Sequence, residues 1–259
     1  MFLPRLLDPH VRRASTELEV NQLSRKQKPV NDKALTARRR LIAHTNPKLP
    51  VVEQYRTIRS NIQFSTIEQE DIRSLVMTSS GPSEGKSTTA ANLAIVYAQQ
   101  GKRVLLVDAD LRKPTAHFSF RLENHSGFTN VLTRKATLTD VLNQTDIPNL
   151  SVLTSGPIPP NPSELLASKN MDMVLEEMYE HFDFILFDTP PALAVTDAQI
   201  LSNKVEATTL VVNSGKTERE AAKKAKELLL SAKARLLGVI LNNRKIEDGG
   251  HYYYYYGNK

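Results

Sequence analysis

The sequence predicts an α/β fold in which helices cover both faces of a doubly wound, mostly parallel sheet. Three observations predict it. Short runs rich in Val, Ile and Leu recur along the chain without polar–apolar alternation, which is typical of strands buried on both faces. Helical stretches separate these runs, as in successive βαβ units. A glycine-rich loop follows the first run, at the strand end where such sheets bind their ligands.

The regular pattern of elements begins near Pro47. Six apolar runs are the predicted strands: residues 74–80, 104–108, 150–154, 184–188, 208–212 and 236–241. The predicted helices span about residues 85–100, 163–180 and 216–233. Asn161 stands three residues before Glu164, a pattern typical of a helix start in which the Asn side chain caps the first turn.

A glycine-rich loop joins the first predicted strand to the first predicted helix. It contains Gly-Lys-Ser, an arrangement in which backbone N–H groups surround a phosphate, the lysine reaches the β- and γ-phosphates and the serine hydroxyl binds Mg²⁺. Ser80 stands where the usual eight-residue pattern begins with glycine. The predicted nucleotide-binding residues are Gly81, Pro82, Ser83, Glu84, Gly85, Lys86, Ser87 and Thr88, with Asn242 after the last strand as a candidate adenine contact. The predicted fold is therefore P-loop NTPase-like.

Two further predicted strands end in carboxylates. One apolar run ends at Asp108, with Asp110 two residues later, and another ends at Asp188. Because parallel strands present their carboxyl ends at the same edge of a sheet, we expect these acids near the phosphate loop, where they would hold waters around a magnesium ion. The alternative is that each acid only caps the next helix or turn.

Composition excludes several other kinds of site. The 259 residues include no cysteine, which excludes disulfides, thiolate metal sites and a cysteine nucleophile. The six histidines are too scattered to predict a zinc site. No apolar run is long enough to span a bilayer, and the N-terminus lacks the pattern of a signal peptide. We therefore expect a cytoplasmic protein.

The formal net charge of +6 comes from the N-terminal residues. Residues 1–45 hold ten Lys/Arg and four Asp/Glu, whereas residues 46–259 hold 24 of each sign. The sequence thus divides into a basic arm (1–45), a P-loop domain (46–246) and a C-terminal segment (247–259) with five consecutive tyrosines. By its charge, the arm is either a solvated leader or a segment that contacts nucleic acid, an anionic membrane surface or an acidic partner. Of these partners, nucleic acid is not expected.

Taken together, the motifs resemble the bacterial protein-tyrosine kinases that control capsule and exopolysaccharide synthesis. The resemblance covers about residues 46–259. The stretches that carry it are Thr78–Ser87, Val107–Pro114, Thr154–Pro157, Pro160–Leu165, Phe187–Pro191, Thr196–Ala198 and Tyr252–Tyr256. Their combination is specific to the family, whereas the phosphate loop alone would not be.

The resemblance implies a protein-tyrosine kinase that uses ATP and Mg²⁺. In the family's mechanism, Lys86 would stabilise the transferring phosphoryl group and Ser87 would bind Mg²⁺ directly. Asp108, Asp110 and Asp188 would hold the waters of the ion. Asp108 would also orient or deprotonate the incoming tyrosine hydroxyl. The catalytic residues implied by the resemblance are therefore Lys86, Asp108, Asp110 and Asp188.

The resemblance also implies a homo-oligomeric ring. Glu53, Arg56 and Arg59 lie on a predicted helix before the first strand, and steps of three residues place them on one broad helix face. In the family this pattern pairs neighbouring subunits. The alternative is a local pair between Glu53 and Arg56 on a solvated surface.

The five tyrosines Tyr252, Tyr253, Tyr254, Tyr255 and Tyr256 are the expected phosphorylation sites. Five consecutive aromatic residues cannot all face a core, so we expect a flexible tail; the alternative is an aromatic plug packed on the domain surface. The resemblance to the family implies that the tail enters a neighbouring subunit's active site and is phosphorylated in trans. Other proteins with accessible tyrosines are further expected substrates. Residues 1–28 weakly resemble the cytoplasmic tail of the membrane protein that activates such kinases, which would recruit the enzyme to the inner face of the cell membrane.

An alternative function is a deviant-loop ATPase switch of the partition or septum-positioning type. Those proteins share the acid-tipped strands, but they have a signature lysine at the position of Gly81 and lack a tyrosine tail. A non-catalytic nucleotide-binding regulator is a third class, in which Lys86, Ser87 and the three acids would have no explanation.

Overall fold

The structure is a computed structural model that describes residues 41–65 and 72–244. The strands in these ranges are β1 (Ser74–Ser79), β2 (Val104–Asp108), β3 (Asn143–Gln144), β4 (Leu150–Leu153), β5 (Phe184–Asp188), β6 (Ala207–Asn213) and β7 (Leu236–Asn242). The helices are α1 (Ile42–Thr45), α2 (Pro50–Phe64), α3 (Lys86–Ala98), α4 (Ala116–Phe120), α5 (Phe128–Leu132), α6 (Leu138–Val141), α7 (Pro162–Ala167), α8 (Lys169–His181), α9 (Asp197–Lys204) and α10 (Arg219–Ser231). The tyrosine cluster and most of the basic arm lie outside the described residues.

The strands form one sheet in the order β3-β4-β2-β5-β1-β6-β7. Neighbouring strands are parallel except at one edge, where β3 runs antiparallel to β4. The six parallel strands are the six predicted runs, and their ends agree to within one residue. The predicted α/β fold is therefore confirmed. The sequence did not predict β3, because two residues are too few to produce a hydrophobic pattern.

Both faces of the sheet are covered, which explains why the strands show no alternation. Along β2, Val104 and Leu106 belong to an apolar core with α3. Leu105 and Val107 point to the other face and belong to a second core with α8. Every side chain of such a strand is buried, so every position is free to be apolar.

Helix α3 begins directly after the phosphate loop and is buried along most of its length between the sheet and α2. A helix that is apolar on nearly all sides is typical of such a position. Its packing fixes the N-terminal N–H groups at the end of the loop, where a helix stabilises an anion. None of the helices in residues 41–65 and 72–244 has the length and apolarity needed to cross a bilayer.

Residues 41–45, at the end of the predicted arm, pack against α3. The N–H of Ala43 donates to Oδ1 of Asn92 (2.9 Å), and Nε2 of Gln99 donates to the carbonyl oxygen of Ala43 (3.0 Å). This short segment therefore contacts the P-loop domain. The division at residue 46 stays a prediction, since residues 1–40 lie outside the described part of the chain.

The helix predicted over 163–180 is in fact two helices, α7 and α8, separated at Ser168. Ser168 has extended backbone angles (φ −65°, ψ 156°), and its hydroxyl caps the first turn of α8. Asn161 does occupy the position before α7. Its side chain, however, makes no capping bond to the backbone; Nδ2 donates instead to Oε2 of Glu164 (2.7 Å). The helix start was predicted correctly and the bond that forms there was not.

Candidate active site

The carboxyl ends of β1, β2 and β5 lie side by side, because β5 pairs with both of the other strands. Asp108 and Asp188, the last residues of β2 and β5, are register partners. Asp188 is also the register partner of Met77 on β1, just before the phosphate loop. The topology therefore brings the loop and the strand-end acids together at one edge of the sheet.

Lys86 connects the loop to these acids. Its Nζ lies 2.5 Å from Oδ1 of Asp188 and 3.2 Å from Oγ of Ser87. Both charged side chains are buried, with exposed fractions of 8% for Lys86 and 5% for Asp188. A buried charge left without a counter-charge is strongly destabilising, so Lys86 can leave Asp188 only when other groups compensate both. A bound phosphate is one such group, because it would offer Lys86 a new anion.

Asp108 is fully buried, and its two oxygens differ in their environment. Oδ2 accepts hydrogen bonds from the backbone N–H groups of Thr115 (2.9 Å) and Ala116 (2.8 Å). Oδ1 accepts none from the described residues. Burial, followed by the charge of Asp188, raises the pKa of Asp108 to about 7, although the two N–H groups and Lys86 act in the opposite direction. A carboxylate with this pKa and a free oxygen is suited to accept a proton near neutral pH.

Asp110 lies two residues beyond the end of β2 and is partly buried. Its Oδ1 accepts from the N–H of Lys113 (2.9 Å) and, over a longer distance, from that of Arg112 (3.4 Å). Burial raises the pKa of Asp110, and the positive charge of Lys86 is the main effect that opposes this rise. Asp110 therefore belongs to the same electrostatic site as Lys86.

The phosphate loop requires glycine at position 85. Gly85 has a φ of +89°, and a Cβ there would lie 1.9 Å from Nδ2 of Asn242. The same Nδ2 donates to the carbonyl oxygen of Glu84 (3.0 Å). Asn242 thus holds the loop in place from the end of β7. An adenine contact through Asn242 stays a prediction.

Ser80, which departs from the usual loop pattern, has a partner within the loop. Glu84 is a buried carboxylate whose Oε1 accepts from Oγ of Ser80 (2.8 Å) and from Oγ1 of Thr217 (2.8 Å). Its Oε2 accepts from the N–H of Ser80 (3.1 Å). Glycine at position 80 would remove one of the donors that make burial of this carboxylate tolerable. Thr217, after β6, was missed because no sequence motif marks it.

The remaining predicted loop residues complete the turn. Gly81, Pro82 and Ser83 lie between β1 and α3, and Ser83 has a positive φ of 62°. Thr88 lies in the first turn of α3. The predicted nucleotide-binding residues 81–88 are therefore contiguous, from the end of β1 through the first turn of α3.

The oxygen donors near the loop fit a magnesium ion. The Ser87 hydroxyl and the carboxylates of Asp108 and Asp188 are the hard ligands that Mg²⁺ prefers. Within residues 41–65 and 72–244, no three His, Asp or Glu side chains are placed to bind a metal ion by themselves.

Three residues from separate motifs form a cluster that the sequence did not predict. Arg112 donates from Nε to Oδ2 of Asp197 (2.9 Å) and from Nη2 to Oδ1 (3.0 Å). Oγ of Ser163 donates to Oδ1 of Asp197 (2.6 Å) and accepts from Nη2 of Arg112 (2.8 Å). The cluster joins the segment after β2 to the first turns of α7 and α9. Sequence positions this far apart give no local signal of contact.

The charges predicted for subunit contacts lie on α2. Nη1 of Arg56 pairs with Oε2 of Glu53 (2.9 Å), and both side chains remain accessible to solvent. Nη1 of Arg59 instead donates to the carbonyl oxygen of Val96 (2.7 Å) near the end of α3. Partial burial lowers the pKa of Arg59. Arg59 therefore contacts its own domain, and a role of the three residues in assembly stays a prediction.

Comparisons with known proteins agree with this arrangement. Residues 73–230 match a family model described as an AAA domain. Over 208 residues, the chain is 54% identical to the tyrosine-protein kinase YwqD of Bacillus subtilis strain 168. That alignment covers 80% of this chain and 87% of the relative.

Solved structures give the same result. The chimerical protein CapA2B2 superposes with a TM-score of 0.77 at 45% identity, covering 80% of this chain and 91% of that one. The kinase domain of the Escherichia coli tyrosine kinase ETK gives a TM-score of 0.76 at 33% identity, covering 84% and 85%. The septum site-determining protein MinD of Pyrococcus horikoshii, complexed with Mg-ADP, gives 0.56 at 26% identity, covering 65% and 69%. The septum-type ATPases are therefore the more distant similarity.

Proposed function

Since the chain belongs to the bacterial tyrosine-protein kinases, we propose that its site transfers the γ-phosphoryl group of ATP to the tyrosines of its own C-terminal cluster. One observation supports this proposal best. Oδ1 of the buried Asp108 accepts no hydrogen bond from the described residues, and Asp108 lies beside the ion pair of Lys86 and Asp188. Transfer to a hydroxyl needs a group to accept the proton and a cation to stabilise the transferring oxygens. One buried site offers both.

In the proposed reaction, the tyrosine oxygen attacks the γ-phosphorus in line with the leaving oxygen. A tyrosine O–P bond forms, the bond between the γ-phosphorus and the bridging oxygen breaks, and ADP leaves. The hydroxyl proton goes to Oδ1 of Asp108. The raised pKa of Asp108, about 7, makes it a better proton acceptor than an ordinary carboxylate.

Lys86 changes partners in this proposal. Without nucleotide it neutralises Asp188, and with ATP it moves its charge to the transferring phosphoryl oxygens. Asp188 then joins Ser87, Asp108 and Asp110 as the oxygen donors that would hold Mg²⁺ and its waters. When bound, the ion neutralises charge on the β- and γ-phosphates.

We expect the phosphate loop to keep its conformation when ATP binds. Glu84 ties it to Ser80 and Thr217, and Asn242 holds its last turn. Backbone N–H groups that are already oriented stabilise an anion without a further cost of reorganisation. The loop therefore positions ATP, while the acids and Lys86 carry out the transfer.

The acceptor role of Tyr252–Tyr256 rests on the sequence and on the family, because these residues lie outside the described part of the chain. Transfer between subunits is proposed because the hydroxyl must reach the γ-phosphate in line. Each phosphate adds about −1.5 to −2 charges to the tail. Repulsion between modified tails would release them from neighbouring sites and loosen a ring whose contacts include Glu53, Arg56 and Arg59.

A membrane-bound activator is proposed as the partner, and capsule or exopolysaccharide synthesis as the process. The support is the resemblance of residues 1–28 to activator tails, together with the excess of positive charge in residues 1–45. Such an activator would place the kinase at the inner face of the cell membrane.

An anti-phosphotyrosine blot of the purified protein after incubation with ATP and Mg²⁺ tests the residue roles. Lys86→Met should abolish the signal, and Asp108→Asn should lower its initial rate by about 10²–10³. Asp183→Asn is the matched control, because Asp183 precedes β5 and lies at the opposite end of the same strand from Asp188. Near wild-type rates in folded Lys86→Met protein would show that the roles are assigned wrongly.

A further inference from the structure

Residues 109–116, from the end of β2 to the first residue of α4, donate hydrogen bonds to two acids, Asp108 and Asp110. Two of their backbone N–H groups, those of Thr115 and Ala116, donate to Oδ2 of Asp108. Two others, from Arg112 and Lys113, donate to Oδ1 of Asp110. We call residues 109–116 the carboxylate loop. The sheet places Asp108, and the N–H groups of this loop orient the carboxylate groups of both acids.

A side chain of the carboxylate loop fixes it to the rest of the domain. Both oxygens of Asp197 accept from Arg112, which gives the two-pronged geometry that a guanidinium forms with a carboxylate. Ser163 bonds to both of these residues at distances of 2.6 and 2.8 Å. We call Arg112, Asp197 and Ser163 the arginine latch.

Separating Arg112 from Asp197 would cost much free energy, because Asp197 is buried. The Asp197 side chain has an exposed fraction of 0%, whereas that of Arg112 is 36%. Among the described residues, Arg112 is the one cation that forms an ion pair with Asp197. Removing the guanidinium would leave a fully buried carboxylate with a hydroxyl as its remaining side-chain partner. The loop is therefore held at Arg112, next to the N–H groups that bind the acids.

The phosphate loop is held by different residues. Its contacts run to Thr217 after β6 and to Asn242 at the end of β7, on the other side of β1 from β2. Opening the latch would therefore free the N–H donors of Asp108 and Asp110 to move, whereas the contacts of the phosphate loop to Thr217 and Asn242 would remain. Binding of nucleotide and catalysis by the acids can thus be separated by experiment.

We propose that the arginine latch positions Asp108 and Asp110 for phosphoryl transfer, so that Arg112, Ser163 and Asp197 set the catalytic rate and contribute little to nucleotide affinity. This proposal rests on the roles proposed above for the two acids. The latch residues are positioning residues, since they act through the carboxylate loop. Supporting contacts of this kind typically change rates about 10- to 100-fold.

The test compares the same substitution in two Arg–Asp pairs on the same two strands. Arg112→Lys keeps the charge but loses the two-pronged geometry. Arg103→Lys is the matched control: Arg103 precedes β2 and pairs with Asp183 before β5 (2.7 Å), at the opposite end of both strands from the site. Initial rates of ADP and phosphotyrosine formation give kcat and the KM for ATP. Calorimetry gives the affinity for ADP. The melting temperature shows whether each variant is folded.

We expect Arg112→Lys to lower kcat about 10- to 100-fold, while ADP affinity measured without Mg²⁺, which does not depend on the two acids, stays within about threefold of wild type. Arg103→Lys should leave kcat and KM unchanged. The latch proposal is overturned if folded Arg112→Lys keeps its kcat, if its loss appears in KM alone, or if Arg103→Lys loses as much activity.

Ser163→Ala keeps the proposal testable if Arg112→Lys does not fold. It removes two hydrogen bonds of the latch but leaves the ion pair, so we expect a folded protein with kcat lowered by about three- to tenfold and unchanged ADP affinity. Unchanged kcat in this variant would count against the latch. Asp108→Asn separates the two proposals. If it retains full activity, the role proposed for Asp108 is wrong, whereas loss of activity in Asp108→Asn with full activity in the latch variants refutes the latch alone.

Discussion

Asp108 and Asp188 are register partners at the carboxyl ends of neighbouring strands, so the sheet itself places two acids of the site side by side. Lys86 pairs with Asp188. Asp108 is left with two backbone N–H donors on one oxygen and no donor from the described residues on the other. Burial and the nearby charge of Asp188 disfavour the ionised form of Asp108 and raise its pKa. The raised pKa is the reason that Asp108 is the proposed proton acceptor.

Asp108 should make the nucleotide-free protein less stable as the pH rises. Its pKa in the folded state, about 7, lies above the ordinary value of 3.8, so the folded state binds more protons than the unfolded state between these values, and stability falls with rising pH. Asp108→Asn removes this ionisation. Relative to wild type, the variant should gain stability between about pH 5 and about pH 8, on the order of 1–4 kcal/mol.

Melting temperatures of both proteins, measured without nucleotide or Mg²⁺, check this prediction. Asp183→Asn serves as the control, because pairing with Arg103 lowers the pKa of Asp183 and the group is ionised throughout this range. The difference in melting temperature between Asp183→Asn and wild type should therefore be constant over this pH range. A difference for Asp108→Asn that is also constant would contradict the raised pKa of Asp108.

Gly85→Ala should impair nucleotide binding, because its Cβ would collide with Asn242 and its φ of +89° disfavours alanine. We expect ADP affinity, measured by calorimetry, to fall about tenfold or more. In an Asn242→Ala background, which lacks the colliding side chain, Gly85→Ala should lower ADP affinity less than it does in wild type, because only the strain remains. Gly101→Ala is the control: its φ is +84°, but no atom lies within 4 Å of the added Cβ. Equal affinity of Gly85→Ala and wild type would refute the collision.

Joint substitution Glu53→Ala, Arg56→Ala should reduce the mass of the oligomer with little effect on folding. An exposed pair of this kind contributes about 0.3–0.5 kcal/mol to its own domain. Adding Arg59→Ala should also cost stability, since Arg59 donates to Val96 in the same domain. Light scattering measures the mass. The control is Glu220→Ala, Lys223→Ala, an exposed pair with the same spacing on α10; an unchanged mass in both double variants would exclude α2 from the assembly contact.

Deletion of residues 1–28 should lower the kinase rate if this segment acts as an activator of the domain. The rate, measured as phosphotyrosine formation, should return when a peptide of residues 1–28 is added in excess. A scrambled peptide of the same composition controls for charge alone. Full activity of the shortened protein without any peptide would show that the segment is a leader.

The strands and the phosphate loop could be predicted because their signals are local. A strand buried on both faces appears in the sequence as a run of Val, Ile and Leu. Gly85-Lys86-Ser87 directly after such a run indicates a phosphate-binding loop. The contacts that complete the site join distant segments. Arg112 and Asp197 are 85 residues apart, and Asn242 is 158 residues from Glu84. A single sequence contains no local signal for such distant pairs.

Local hydrogen bonds could not be predicted from the sequence where two bonding patterns compete. Ser168 interrupts the predicted helix because its hydroxyl caps the next one in an extended conformation, and nothing in the surrounding pattern favours this over a continuous helix. Asn161 had a suitable position for capping but bonds to Glu164 instead. Predicting that a helix starts at a given residue is thus easier than predicting which groups bond there.

Transfer of phosphate between subunits is tested most directly by mixing two complementary variants. Lys86→Met protein has an intact tail and no activity of its own, whereas a kinase lacking residues 247–259 has the site and no tail. With ATP and Mg²⁺, the Lys86→Met protein should acquire phosphotyrosine only in the mixture, and it should acquire none when its residues Tyr252–Tyr256 are also changed to Phe. If the Lys86→Met protein stays unmodified while the tail-deleted kinase phosphorylates a synthetic tyrosine polypeptide in the same tube, transfer in trans to the tail is contradicted.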